Sequence, residues 1–194
     1  MTRPTGSWHG GRVIDDLDTA AGVMRRAVVG SLPSKLDVPS PCEGWTVREV
    51  INHVVTGNLR TLAWTRSQNG PPNEEDHLGD DPLAAFDDTF LRVREQIADL
   101  LARGASVQAP FAVLSAEQLI EMRSTELVVH GWDVARATAQ STDFAPEMCD
   151  RLLATARAMS EGLDRTGSPF AAEQAPRLGA SAADRLAAFF GRSL

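Results

Sequence analysis

Tyrosine is absent from the 194-residue sequence, lysine occurs once, at Lys35, and aromatic residues make up only 6%. Strands favour aromatic and β-branched side chains, so this shortage points away from a sheet protein, and the recurrent Ala and Leu point toward helices. Only two cysteines are present, Cys42 and Cys149, far apart and in no CxxC pair, which excludes a secreted disulfide framework. No apolar run approaches the roughly 20 residues that span a bilayer. Met1 to Gly11 lack the apolar centre of a signal peptide. The expected location is therefore the cytoplasm, with no membrane partner. The net charge is −7, and the positive charge is almost wholly arginine with no basic run. Double-stranded nucleic acid, a polyanion, is not an expected partner.

What the chain does have is the composition of an ordinary globular domain, 43% hydrophobic and 23% charged. Residues 1–194 are read as one domain, with 1–11 as a flexible N-terminal segment. The periodicity predicts a first helix over 13–29, closed near Gly30 and Pro33. A second opens with Thr46 as cap and Glu49 completing a capping box. Val47, Ile51, Val54, Asn58 and Leu62 form its inward stripe, with Val50 and Val55 alongside. The third starts at Asp81 and Pro82, carries Leu83, Phe86, Phe90, Val93, Ile97 and Leu100, and ends at Gly104. Residues 104–114 read as an irregular connection, and no β-hairpin is expected anywhere. Ser115 and Gln118 make a second capping box before a helix over 116–139. Another helix runs from Pro146 to about residue 163, a loop covers 164–180, and Ser181 opens a short last helix with Leu186, Phe189 and Phe190. The fold class is all-α, an antiparallel helical bundle, an architecture that builds metal and ligand sites from side chains on facing helices.

The informative segment is Glu121 to Asp133. At about 100° per residue, Glu126, His130, Asp133 and Ala137 share one narrow helix face. The surrounding sequence is apolar enough to be buried, and a buried carboxylate and imidazole need partners. Glu126 and His130 are four apart, so their heads can converge on one point. Of His9, His53 and His77, only His53 falls within a predicted helix, on the flank of the apolar stripe. Two imidazoles and a carboxylate would leave an open position on a metal, as catalytic sites do. Spacing alone favours the blander readings, a helix-surface Glu–His pair and a satisfied core histidine, over a metal site. The order is Glu-x-x-x-His, which is not the HExxH pattern of zinc proteases.

Neighbouring residues carry paired readings. Asp133 either orients the His130 imidazole or is a surface carboxylate. Arg123 either receives an anionic substrate group or salt-bridges Glu126. Cys42 reads as a partly buried loop residue rather than a reacting thiol, and Trp45 and Trp132 as packing anchors. His9 and His77 are expected to be solvated.

The run Pro41-Cys-Glu-Gly-Trp-Thr-Val-Arg48, then Asn52-His53, then Glu126-Leu-Val-Val-His-Gly-Trp-Asp133 resembles the DinB-like superfamily. Within it the chain resembles the actinobacterial branch related to the metal-binding domain of mycothiol-dependent maleylpyruvate isomerase, from about residue 12 onward. The resemblance implies a four-helix bundle with additional short helices and one divalent metal. It implies His53 as a ligand from the second helix and Glu126 and His130 as ligands from the later one. Many relatives use three histidines, and Glu126 aligns this chain with a His-Glu-His branch. That enzyme has a second, C-terminal domain, for which the residues after the last long helix are too few. Maleylpyruvate isomerisation itself is therefore not the expected reaction.

Three functions stay open on the sequence. The first is a metalloenzyme of transferase or isomerase type that uses a low-molecular-weight thiol, mycothiol by resemblance, and a small-molecule substrate. The second is a non-catalytic metal- or ligand-binding protein or stress-related sensor, and the third a polar seam with no metal. Zinc is the first expectation for the ion, with nickel, iron and manganese also suited to imidazole and carboxylate. Bundles of this kind often form homodimers, and the oligomeric state is open.

Overall fold

The computed structural model describes residues 10–72, 74–160 and 172–193, and these described residues form six helices and one small hairpin. These are α1 (Gly10–Ser31), α2 (Val47–Trp64), α3 (Pro82–Arg103), β1 (Ser106–Gln108), β2 (Val113–Ser115), α4 (Ala116–Ala137), α5 (Pro146–Ser160) and α6 (Ala182–Phe189). Helix starts follow local chemistry. The Thr46 side chain accepts from the Glu49 N–H while the Glu49 carboxylate accepts from the Thr46 N–H, and Ser115 with Gln118 repeats the pattern at α4. Asp81 caps α3 ahead of Pro82, and Gly104 ends it in the left-handed region at φ 57°. Lys35, the sole lysine, donates to the Thr138 carbonyl at 2.7 Å and so satisfies an acceptor at the end of α4.

α1 packs chiefly on α4 and α2 chiefly on α3, and lesser α1–α3 and α2–α4 contacts close a four-helix ring. The predicted α2 stripe is buried at every position, including Asn58. Leu17, Met24, Phe86, Ile97, Leu119, Leu127 and Trp132 fill the interior. Gly131 lets α1 approach α4, since a Cβ there would stand 2.9 Å from Val23 Cγ1 and 3.3 Å from the Met24 backbone. α5 and α6 pack on each other and against α4. Trp132 is buried and donates to Asp184 Oδ1 at 2.7 Å, joining α4 to α6. No described helix is long and apolar enough to cross a membrane.

Two expectations are corrected. α1 begins at Gly10, so Gly10 and Gly11 are helical rather than part of a flexible lead. Residues 1–9 lie outside the described residues, as do 161–171, where the end of the fifth helix and part of the following loop were expected. Residues 104–114 are not wholly irregular: β1 and β2 pair antiparallel, Val107 opposite Leu114. Strands of three residues are too short to produce a readable alternation.

Candidate metal centre

His53 projects from α2 and Glu126 and His130 from α4, two helices in direct contact. One ligand atom from each of the three lies within 4.8 Å of the other two. His53 Nε2 is 3.4 Å from Glu126 Oε1, and the His53 and His130 rings meet edge to face with centroids 5.0 Å apart. The site opens partly to solvent, the side chains of His53, Glu126 and His130 being 24%, 23% and 12% exposed. Trp45, from the loop before α2, lies against His53 with ring centroids 5.0 Å apart and the rings tilted. An aromatic read as a packing anchor thus also forms part of the wall.

The close approach depends on Gly57. A Cβ at that position would stand 2.5 Å from Arg123 Nη1 and 2.9 Å from Glu126 Oε1. Arg123 is 1% exposed; its Nη1 donates to Glu126 Oε2 and its Nη2 to Asn58 Oδ1 at 2.7 Å. Asn58 Nδ2 in turn donates to Thr89 Oγ1 at 3.1 Å, so the network reaches α3. Burial alone would raise the Glu126 carboxyl, but the Arg123 charge, with His53 beside it, holds it down at about 2. Arg123 makes the salt bridge to Glu126, and its side chain is buried, with Nε left without a hydrogen-bond partner. Asn58 is a residue whose role the sequence reading did not assign. The available signal was an amide within an otherwise apolar stripe, which needs a buried partner.

Asp133 is not a surface carboxylate: it is fully buried. His130 Nδ1 lies 3.0 Å from Asp133 Oδ2. A carboxylate only accepts, so in the neutral ring Nδ1 carries the proton and Nε2 keeps the lone pair. Arg192, two residues beyond Phe190, the residue that caps α6, donates from Nε to Oδ1 at 3.0 Å and from Nη2 to Oδ2 at 2.8 Å. Burial pushes the Asp133 carboxyl up, but the His130 and Arg192 hydrogen bonds outweigh it and hold it at about 2. Cys42 donates to Asp133 Oδ2 and accepts from Arg192 Nη2, both at 3.2 Å. Burial first, then the Asp133 charge, pushes its thiol up to about 12, against the opposing pull of Arg192.

Cys42, His130 and Asp133 are also close enough together to form a candidate metal group. A cation already lies among them, however, since Arg192 occupies both Asp133 oxygens and the sulfur. His53, Glu126 and His130 are the better donor set. The buried Nδ1 of His53 has no hydrogen-bond partner and its Nε2 has only the long Glu126 contact, so the protein itself satisfies this imidazole poorly. Two imidazole nitrogens and a carboxylate oxygen are a donor set that fits a divalent transition metal.

His77 is not solvated as expected. Its side chain is 17% exposed, with Nε2 3.7 Å from Glu75, and its backbone N–H donates to Asn52 Oδ1 at 2.8 Å. It does not join the three-residue group. His9 lies outside the described residues.

Two uncharacterized proteins of Mycobacterium tuberculosis, one from strain CDC 1551 / Oshkosh and one from strain ATCC 25618 / H37Rv, are each 36% identical to this chain over 161 residues. The matches span 82% of this chain and 86% of each relative. No solved structure matches. The family model described as the mycothiol maleylpyruvate isomerase N-terminal domain matches residues 17–135, which include the α2 and α4 residues of the site. The chain belongs to the mycothiol maleylpyruvate isomerase N-terminal domain family.

Proposed function

We propose that this protein binds one divalent metal ion through His53, Glu126 and His130 and uses it in a thiol-dependent reaction of transferase or isomerase type. The observation that carries this reading is the convergence of three ligand atoms from α2 and α4 within 4.8 Å, partly open to solvent. Zinc is the preferred ion, with nickel, iron and manganese chemically suited to the same donors. When bound, such an ion supplies a Lewis-acid position at which a thiol is deprotonated near neutral pH.

The chain's own residues prepare that position. Arg123 fixes one oxygen of Glu126 and leaves the other facing His53. Asp133 holds the proton on His130 Nδ1, so Nε2 is the nitrogen available to the ion. Cys42 is not cast as the nucleophile: its sulfur is engaged by both Asp133 and Arg192, and burial with the Asp133 charge pushes its thiol up. In this reading the reacting thiol is a low-molecular-weight thiol from outside, for which mycothiol is the family's candidate. The co-substrate is a small electrophile.

Elemental mass spectrometry on untagged protein tests the metal reading. The expected result is near-stoichiometric metal in the wild type and its loss in both His53→Ala and His130→Ala. Absence of metal after reconstitution with several divalent ions would overturn it. Thiol addition to electrophiles is then expected to stop in chelator, and activity that survives chelation would remove the enzymatic part of the proposal.

The buried Arg123–Glu126 bridge favours a second reading, in which this group is a self-neutralised polar seam without metal. That reading predicts that His53→Ala changes stability and never metal content.

A further inference from the structure

Arg192 lies beyond residues 17–135 matched by the family, yet its guanidinium reaches into the wall of the site. It is held by three segments at once. Asp133 of α4 takes both forks, Cys42 of the loop before α2 receives Nη2 at 3.2 Å, and its own Nη1 donates to the Phe190 carbonyl at 3.0 Å. Its side chain is only 12% exposed.

We infer that Arg192 is a positioning residue for His130, acting through Asp133, so that the C-terminal segment sets the ligand geometry of the site. This rests on the reading of His130 as a metal ligand. The argument is geometric. An Asp carboxylate turns about its Cβ–Cγ bond, and the His130 contact and the weak Cys42 thiol donor both fall on Oδ2, so by themselves they would not fix its plane. The guanidinium fork engages Oδ1 and Oδ2 together, a planar bidentate match that only arginine provides. Oδ2 is thereby aimed at His130 Nδ1, 3.0 Å away. Such outer partners of ligating histidines set tautomer and ring orientation. Without the fork, Oδ1 of the buried Asp133 is unheld and Oδ2 keeps only the weak Cys42 donor beside His130, so the His130 ring loses its firmly fixed acceptor.

The test measures two properties of wild type, Arg192→Ala, Arg192→Lys and, as a control, Arg185→Ala. Arg185 belongs to α6 but pairs with Asp150, away from Asp133. The first property is the imidazole tautomer of His130 in metal-free protein, by nitrogen-15 NMR. The second is Zn²⁺ affinity by competition with a chromophoric chelator. In wild type the Nδ1–H tautomer is expected. In Arg192→Ala its population drops and Zn²⁺ affinity falls about ten- to hundredfold. Arg192→Lys recovers part of both, and Arg185→Ala matches wild type. Should Arg192→Ala fail to fold, Arg192→Lys decides the matter, because it keeps the charge but cannot span both oxygens. An unchanged tautomer with affinity within about twofold of wild type in the variants would overturn the proposal. If wild-type protein binds no Zn²⁺, the metal reading fails, and the tautomer shift alone decides the role of Arg192.

Discussion

Glu126 uses its two oxygens differently: Oε2 accepts from buried Arg123 while Oε1 faces His53 at 3.4 Å. Neutralising it therefore does two things. Glu126→Gln removes a charged metal ligand and leaves the Arg123 guanidinium buried without its counter-charge. The metal-free variant is expected to lose about 1–3 kcal/mol in urea titration, while His53→Ala loses metal with little change in that measurement. The depressed carboxyls also predict an acid limb of stability. A group held lower in the folded than in the unfolded chain stabilises the fold above its ordinary value, and that contribution disappears as pH falls toward the folded value. Glu126 and Asp133 start from 4.5 and 3.8 and are both held at about 2. The melting temperature of metal-free protein should thus fall between about pH 5 and pH 2. Asp133 alone represents on the order of 2 kcal/mol. Asp133→Asn should begin lower at neutral pH and decline less on acidification; a decline as steep as that of wild type would refute this assignment.

Among the elements, α2 and α4 matter most, and two glycines separate their roles. Gly57 faces the Arg123–Glu126 pair, and Gly131 faces α1. Alanine is the better helix former at either position, so any loss reflects crowding rather than helix propensity. Gly57→Ala is expected to displace Glu126 and lower metal affinity, at a stability cost of about 1–3 kcal/mol. Gly131→Ala is expected to cost a similar amount by pushing α1 from α4 while leaving metal affinity close to wild type. Metal titrations beside thermal melts of both variants check this, and equal metal affinities would contradict it. Element boundaries were legible where capping chemistry is local, as at Thr46–Glu49, Asp81–Pro82, Ser115–Gln118 and Ser181. The hairpin at 106–115 was not, because its three-residue strands are defined by pairing with each other rather than by a pattern within either.

For the whole molecule, a metal bound only by the folded chain must stabilise it by mass action, about 2.7 kcal/mol at a hundredfold excess of free ion over Kd. Wild-type protein is therefore expected to melt higher with added Zn²⁺ and return to its starting value in chelator. His130→Ala should show no such shift, since one of the three convergent donors is gone. A shift of equal size in that variant would place the binding elsewhere.

The sequence by itself determined the helical class, the inward stripes of α2 and α3 and the candidate donors His53, Glu126 and His130, because helix periodicity and capping act within a few residues. The family of the chain was legible in the same local motifs, Pro41 to Arg48 and Glu126 to Asp133. Only the tertiary structure decided where Arg123 and Asp133 lie and what they bond, for each depends on partners far away in sequence. Arg123 is buried against Asn58, 65 residues away, and Asp133 is clamped by Arg192, 59 residues away. Such contacts leave no periodic trace in the chain, since they arise where the α2–α4 face and the C-terminal segment meet, and burial there makes each unpaired charge too costly to leave alone.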